Sequence, residues 1–250
     1  MPRYDFRSPR LHVDRPLSAA ATLALDGAQS HYLVDVLRLK PDDTVLAFNG
    51  RDGEWLGTIV RHDKRTVALA LQRQTRAQTA PNDLHYLFAP LKRARLDYMV
   101  QKAVEMGVSR LAPVITRHTQ AERVNVERMR ANAVEAAEQC GVLTLPDIAA
   151  PQPLARALDA LDAERLLVFC DEDAEGDPVS LLAARRTEAG RPAIAVLIGP
   201  EGGFSDDERT MLLRRPNTLR LALGPRILRA DTAAVAALAL VQATLGDWTG

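Results

Sequence analysis

The chain has 250 residues, 47% hydrophobic and 26% charged, a composition that excludes disordered, fibrous and membrane-embedded classes. Lys+Arg and Asp+Glu both number 32, so no overall charge draws the protein to nucleic acid or an anionic membrane, and any such binding must be local. Neither the start, MPRYDFRSPR, nor the longest apolar run, Ala233 to Val241, has the length or character of a signal peptide or a membrane span, so a cytoplasmic protein with no membrane partner is expected.

Charge is uneven along the chain. Residues 1–80 carry twelve Lys/Arg against nine Asp/Glu; residues 83–130 carry nine against five, and 147–188 carry four against ten. Ser30 to Leu39 places Leu33, Val36 and Leu37 on one helical stripe, and Pro41-Asp42-Asp43 turns the chain. TVLAFNG, EWLGTIV and TVALALQ, within residues 44–72, are short strands separated by turn chemistry, a small β unit. The polar stretch 74–83, ending in Pro-Asn-Asp, has neither period and is expected to be a linker. Thereafter strands alternate with helices, the mark of a mostly parallel α/β sheet. The strand candidates are 84–91, 110–116, 165–171, 193–199 and 218–224. The longest helices fall at 96–107 and 127–140, the latter with Met129, Ala133, Ala136, Ala137 and Cys140 near one stripe, and an Ala-rich helix, Asp231 to Leu245, closes the chain. Cys140 and Cys170, with no CxxC, argue against a disulfide framework and a zinc site and are expected as buried thiols.

The fourth of these strands runs into Gly199-Pro200-Glu201-Gly202-Gly203-Phe204, and Ser205 with Glu208 forms a capping box for the next helix. Such a loop lets backbone amides approach a ligand, although a tight strand-to-helix turn uses glycine in the same way. A second loop, Leu223 to Thr232, leaves the fifth strand and enters the last helix. Two strand ends thereby offer glycine loops to the edge where open α/β sheets bind ligands. Ile227 and Leu228 suit either a pocket wall or a loop folded onto the core; Arg226 and Arg229 are either solvated or meet phosphate or carboxylate. Lys92, Arg93 and Arg95 follow the first α/β strand, and Arg117 and Arg123 follow the second. They are solvated surface or, since they too lie at strand ends, contacts for phosphate.

Missing parts narrow the choice. There is no GxxxxGK[ST], no GxGxxG after the first α/β strand and no GxSxG. Asp171, Glu172 and Asp173 lack His neighbours and are expected as a solvated acidic loop, with no metal. The five His residues are scattered, without triad or ligand spacing.

Arg3-Tyr4-Asp5-Phe6, HYLVDVLRLKPDD, QKAVEMGVSRLAPVIT (101–116), EAAEQ (135–139), IGPEGGFSDDE (198–208) and LGPRILRADTA (223–233) together resemble the RsmE family of ribosomal RNA methyltransferases, of the knotted SPOUT class. Asp231 stands where the family usually has Glu, and Cys140-Gly141-Val142 lacks the polar and basic residues expected after EAAEQ. The resemblance implies an N-terminal PUA-like β-barrel domain for RNA, residues 1–76, and a SPOUT methyltransferase domain, residues 83–250, α/β with a mostly parallel sheet and a C-terminal trefoil knot. It also implies methyl transfer from S-adenosylmethionine to N3 of a uridine in small-subunit ribosomal RNA by a homodimer. Under it the cofactor is held by Ile198, Gly199, Pro200, Glu201, Gly202, Gly203, Leu223, Gly224, Ile227, Leu228, Arg229, Thr232 and Ala233. Arg229 and Glu201 carry catalysis, and Arg3, Arg7, Lys92, Arg93, Arg95 and Arg117 meet RNA. A related enzyme acting on transfer RNA or a ribose hydroxyl, and a non-catalytic ribosome-assembly protein, are the alternatives.

Overall fold

A computed structural model describes residues 8–62, 67–120, 123–188 and 190–249; Arg3 and Arg7, with the motif Arg3-Tyr4-Asp5-Phe6, lie outside the described residues. By its contacts the chain divides into two units, one of residues up to Ala80 with Ala137–Leu145, the other of Pro81–Ala136 with Pro146 onward.

The first unit is built on one five-stranded sheet. Its strands are β1 (Arg10–His12), β2 (Thr22–Ala24), β3 (Thr44–Phe48), β4 (Glu54–His62) and β5 (Val67–Arg76), in the order β1-β3-β4-β5-β2. Only the β1–β3 pair is parallel. Alternate residues of β5, Val67, Leu69 and Leu71, point into a core shared with Leu11, Leu23, Val45 and Ile59, as period-2 patterning requires. The expected linker begins later than its composition suggests. Residues 74–76 belong to β5 because they pair with Glu54 and Trp55, and cross-strand bonding prevails over local polarity.

The helix expected over Ser30–Leu39 is shorter and changes form. A capping box between Asp26 and Gln29 starts α1 (Gly27–His31), after which Tyr32–Val36 is a π-turn with Leu37 N–H bonded to the Tyr32 carbonyl at 2.9 Å. The wider turn shifts the stripe, so Leu33 is buried while Val36 is 58% exposed, against the sequence expectation.

Glu54 is the buried charge of this unit. Its carboxylate accepts from Arg10 Nε at 2.8 Å, Arg76 Nε at 3.1 Å, Arg76 Nη2 at 2.8 Å and Thr75 Oγ1 at 2.9 Å. Burial would raise its pKa, but bonds from Arg76, Arg10 and Thr75 outweigh that and hold it below the ordinary value. The same guanidiniums donate onward to backbone carbonyls: Arg10 to Ala137, Glu138 and Val142, and Arg76 to Gly141 at 2.9 Å.

The second unit is α/β. Beyond β6 (Leu84–Phe88), α2 (Arg93–Glu105), β7 (Arg110–Ile115), α3 (Val126–Cys140), β8 (Asp147–Ile148), β9 (Gln152–Pro153), α4 (Leu154–Asp159), β10 (Leu166–Cys170), α5 (Pro178–Ala183), β11 (Ile194–Ile198), α6 (Asp206–Arg214), β12 (Thr218–Leu221) and α7 (Ala230–Thr244) follow in turn. The strand order is β12-β10-β11-β6-β7-β8, with β9 also on β7, and every pairing is parallel. All five residues of β11 are buried, as a parallel strand covered on both faces demands. Parallel order also puts the carboxyl ends of β6, β7, β10, β11 and β12 at one edge of the sheet.

Two thiol expectations separate here. Cys170 lies at the end of β10 with its sulfur buried, but Cys140, in the last turn of α3, is exposed, a correction to the stripe drawn from the sequence. The stripe's other members, Met129, Ala133, Ala136 and Ala137, are buried; Cys140 sits at its far end, in the stretch that counts with the first unit.

Candidate active site at the carboxyl edge of the parallel sheet

The ends of β10, β11 and β12, adjacent in the sheet, enclose a cavity of about 440 Å³. From β11 the chain turns through Pro200–Gly203, closed by Gly203 N–H to the Pro200 carbonyl at 3.0 Å, and Gly203 has φ +69°. That left-handed conformation costs an L-residue about 1–2 kcal/mol. Gly199 has a different reason to lack a side chain: a Cβ there would lie 2.6 Å from the Phe204 ring, which packs edge-on against Phe169 with centroids 5.3 Å apart. Ser205 then caps α6, and Glu208 returns the bond to Ser205 N–H at 2.9 Å. From β12 the loop 222–229 leads to α7, whose first turn faces the cavity through Ala230 and Ala233.

Of the residues assigned to a cofactor, Ile198, Gly199, Pro200, Glu201, Gly203, Leu223, Gly224, Ile227, Leu228, Arg229 and Ala233 line this cavity. Gly202 and Thr232 do not: Gly202 backs onto His118, and Thr232 lies exposed on α7. Ile227 is 90% exposed, an apolar side chain held over the mouth rather than folded onto the core. Glu201 reaches out of the loop to Arg95 of α2 at 3.3 Å. The Arg226 and Arg229 side chains are exposed and form no ion pair among the described residues, as do Lys92, Arg93 and Arg117. The basic side chains after β6 and β7 therefore share the sheet edge with the cavity, whose walls come from the ends of β10, β11 and β12.

The sequence did not mark the third wall. Phe169, Cys170, Asp171 and Glu172, at the end of β10, line the cavity. Asp171 is not part of a solvated acidic loop. Its side chain is 1% exposed and accepts from Arg209 Nη1 at 2.9 Å and Arg220 Nε at 2.7 Å, so one carboxylate ties β10 to α6 and β12. Asp173 is exposed, as expected, and takes a second bond from Arg209 at 3.0 Å. The signal was available: 165–171 is a strand too, so its end falls at the edge the glycine loops occupy. Burial, and then the Asp171 charge, push the Cys170 thiol up to about 12, so it remains protonated. Beneath it Tyr86, fully buried and stacked on Phe88 at 5.0 Å, bonds Met99 Sδ at 2.9 Å, and its phenol is pushed well above the usual range by burial, with Cys170 and Asp231 adding to the effect. No cluster of His, Cys, Asp and Glu among the described residues is arranged to hold a metal ion.

A cavity of this size lies within the range for small-molecule sites. Its apolar side chains suit a flat ring, and its loop amides suit hydroxyl or carboxylate groups.

The family model described as an RNA methyltransferase domain matches residues 78–242, and one described as an RNA methyltransferase PUA domain matches residues 25–72. The chain is 34% identical over 234 residues to the ribosomal RNA small subunit methyltransferase E of Rickettsia conorii, covering 93% of this chain and 94% of that protein. Among solved structures it is similar to a Legionella pneumophila methyltransferase in complex with bound S-adenosylmethionine: 26% identity, TM-score 0.81, with 95% of this chain and 98% of that one covered. The Neisseria gonorrhoeae ribosomal RNA small subunit methyltransferase E, bound to S-adenosylmethionine, shares the fold at TM-score 0.86 and 24% identity, over 97% of this chain and 100% of that one.

Proposed function

The chain belongs to the ribosomal RNA small subunit methyltransferase E family, and on that premise we propose that it methylates N3 of a uridine in small-subunit (16S) ribosomal RNA with S-adenosylmethionine as donor. The observation that carries the proposal is the single cavity enclosed by both glycine loops, with unpaired cationic side chains at its rim and on the neighbouring strand ends.

Ile198 to Gly203 and Leu223 to Ala233 would hold the donor, which supplies a methyl carbon activated by a sulfonium centre. The apolar Leu223, Ile227 and Leu228 keep water from the reacting atoms, and the folded loops fix the approach direction that an in-line displacement requires. Uridine N3 carries a weakly acidic proton, and the nitrogen is a good nucleophile only as that proton leaves. Arg229, exposed at the cavity rim, stabilises the developing uridinate or anchors the phosphate beside it. Glu201, braced by Arg95, shapes the donor loop. Lys92, Arg93, Arg95 and Arg117 meet RNA phosphates beside the cavity. N3 lies on the Watson–Crick edge, so the base must enter unpaired or flipped out.

The reading extends to a homodimer working in the cytoplasm. It is supported by the outward stripe of α7, Val235, Ala236, Ala239 and Leu240, which is apolar and only half-buried, and light scattering of the purified protein tests it. No helix among the described residues is long and apolar enough to cross a membrane.

The decisive experiment is labelled-methyl transfer to small subunits from cells lacking the protein, followed by nucleoside analysis. Label in 3-methyluridine is expected; label in another nucleoside, or in a ribose methyl, overturns the assignment. Arg229→Ala is expected to keep the fold and lower turnover on the order of 100-fold, and near-normal methylation by that variant removes Arg229 from the mechanism.

A further inference from the structure

The loop that follows β7 is bonded to the donor loop. Arg117 N–H donates to Glu208 Oε1 at 2.8 Å, while the other oxygen of that carboxylate accepts from Ser205 N–H at 2.9 Å and Ser205 Oγ at 3.0 Å. One residue on, His118 Nδ1 lies 3.0 Å from the Gly203 carbonyl. A carbonyl only accepts, so Nδ1 carries the proton. Gly202 backs directly onto His118: a Cβ at that glycine would come within 3.2 Å of the His118 Cβ. The start of the β7 loop is tied to itself, because Thr119 Oγ1 accepts from Thr116 N–H at 2.8 Å and bonds Thr116 Oγ1 at 2.9 Å. β7 and β11 are not neighbours, since β6 lies between them. These bonds therefore link two strand ends across the one that separates them.

We propose that His118 and Glu208 are positioning residues that make the β7 loop and the donor loop a single body, so that filling the cavity also fixes how Arg117 is presented to RNA. The inference rests on the methyltransferase reading above. Gly203 lines the cavity, and its carbonyl is held by His118. A ligand that selects one position of the Pro200–Gly203 turn thereby selects one position of His118. Arg117 follows, because its backbone is fixed by a carboxylate that also caps the helix leaving that turn. Its guanidinium, exposed and without an ion pair among the described residues, is left for the substrate. A capping box needs only Ser205 and Glu208. The bonds to Arg117 and Gly203 are additional to it, and both come from the β7 loop.

Binding of small subunits, purified from cells lacking the protein, is measured with and without saturating S-adenosylhomocysteine, which fills the cavity without turnover. For the wild-type chain the ligand is expected to tighten subunit binding about fivefold, and by linkage subunits tighten the ligand by the same factor. His118→Ala, a change at an exposed side chain, is expected to reduce that factor to below about twofold with an unchanged melting temperature. His118→Asn, whose amide can donate where Nδ1 did, restores it. Glu208→Gln leaves an acceptor for only one of the two N–H donors and is expected to behave as His118→Ala does. Full coupling retained in a folded variant overturns the role of that residue. Wild-type protein that binds both ligands independently overturns the inference and leaves the methyltransferase reading intact. Wild-type protein that binds neither overturns both.

Discussion

Asp171→Asn tests whether the β10 end is a fixed wall of the cavity. The carboxylate is 1% exposed and receives charge-assisted bonds from Arg209 at 2.9 Å and Arg220 at 2.7 Å. Asparagine keeps one oxygen acceptor and turns an N–H donor towards the second guanidinium, so one bond is lost and replaced by a donor–donor contact. A bond to a charged partner is worth about 1.5–3 kcal/mol. Two facts pull the value down: the arginines are 27% and 39% exposed, and each keeps a bond to Asp173, from Arg209 at 3.0 Å to its carboxylate and from Arg220 at 2.9 Å to its carbonyl. A loss of about 1–2 kcal/mol remains. At about 2–4 °C per kcal/mol for a chain of this size, melting should fall by about 2–8 °C. Asp171 and Glu172 line the cavity, so calorimetry should also show weaker binding of S-adenosylmethionine by about tenfold. A variant melting within about 1 °C of wild type with unchanged cofactor affinity refutes the reasoning, because the carboxylate would then be neither buried nor shared.

Three further outcomes follow from the same geometry. Cys170, with its thiol near 12, has on the order of a thousandth of the thiolate of an ordinary cysteine at pH 8; iodoacetamide should leave native Cys140→Ser protein unlabelled and label it fully on unfolding, as mass spectrometry will show. His85 is held down to about 4, first by burial and then by Arg165. The unfolded chain therefore takes its proton near pH 6.5 and the folded chain only near 4, so stability is lost as pH falls through that window, by at most about 3 kcal/mol. His85→Gln should flatten the stability profile there, and a His85 proton resonance titrating near 6.5 in the folded protein would contradict this. Gly199→Ala, whose new Cβ meets the Phe204 ring at 2.6 Å, should destabilise the protein by about 1–3 kcal/mol and weaken cofactor binding, whereas at the exposed Gly224, where an added Cβ would meet no atom within 4 Å, the same change should cost stability only through the strain of its backbone conformation.

Patterns with a local cause were legible in the sequence. β11 could be read from five consecutive apolar residues, α6 from Ser205 and Glu208, and both glycine loops from their place at strand ends. What escaped had a distant cause. The π-turn at Tyr32–Val36 carries no composition signal, and it is what exposes Val36. Residues 74–76 look like linker because Glu54, which makes them strand, lies some twenty positions earlier. Asp171 looks like one of three loop acids because Arg209 and Arg220, the residues that make its burial tolerable, arrive with later elements. Nor does any spacing announce that His118 faces Gly203.

The guanidiniums of Arg10 and Arg76 bear on how this chain can be cut. Both reach carbonyls between Ala137 and Val142, some sixty or more positions further on. A fragment stopping at Ala80 would leave the Arg10 and Arg76 guanidiniums on Glu54 with their outer donors facing solvent. The small β unit is thus assembled from two separated stretches of the gene, and translation must pass Leu145 before all of it exists. A ribosome stalled earlier would present the five strands without the segment that accepts from Arg10 and Arg76, so this unit is completed only after more than half of the polypeptide has been made.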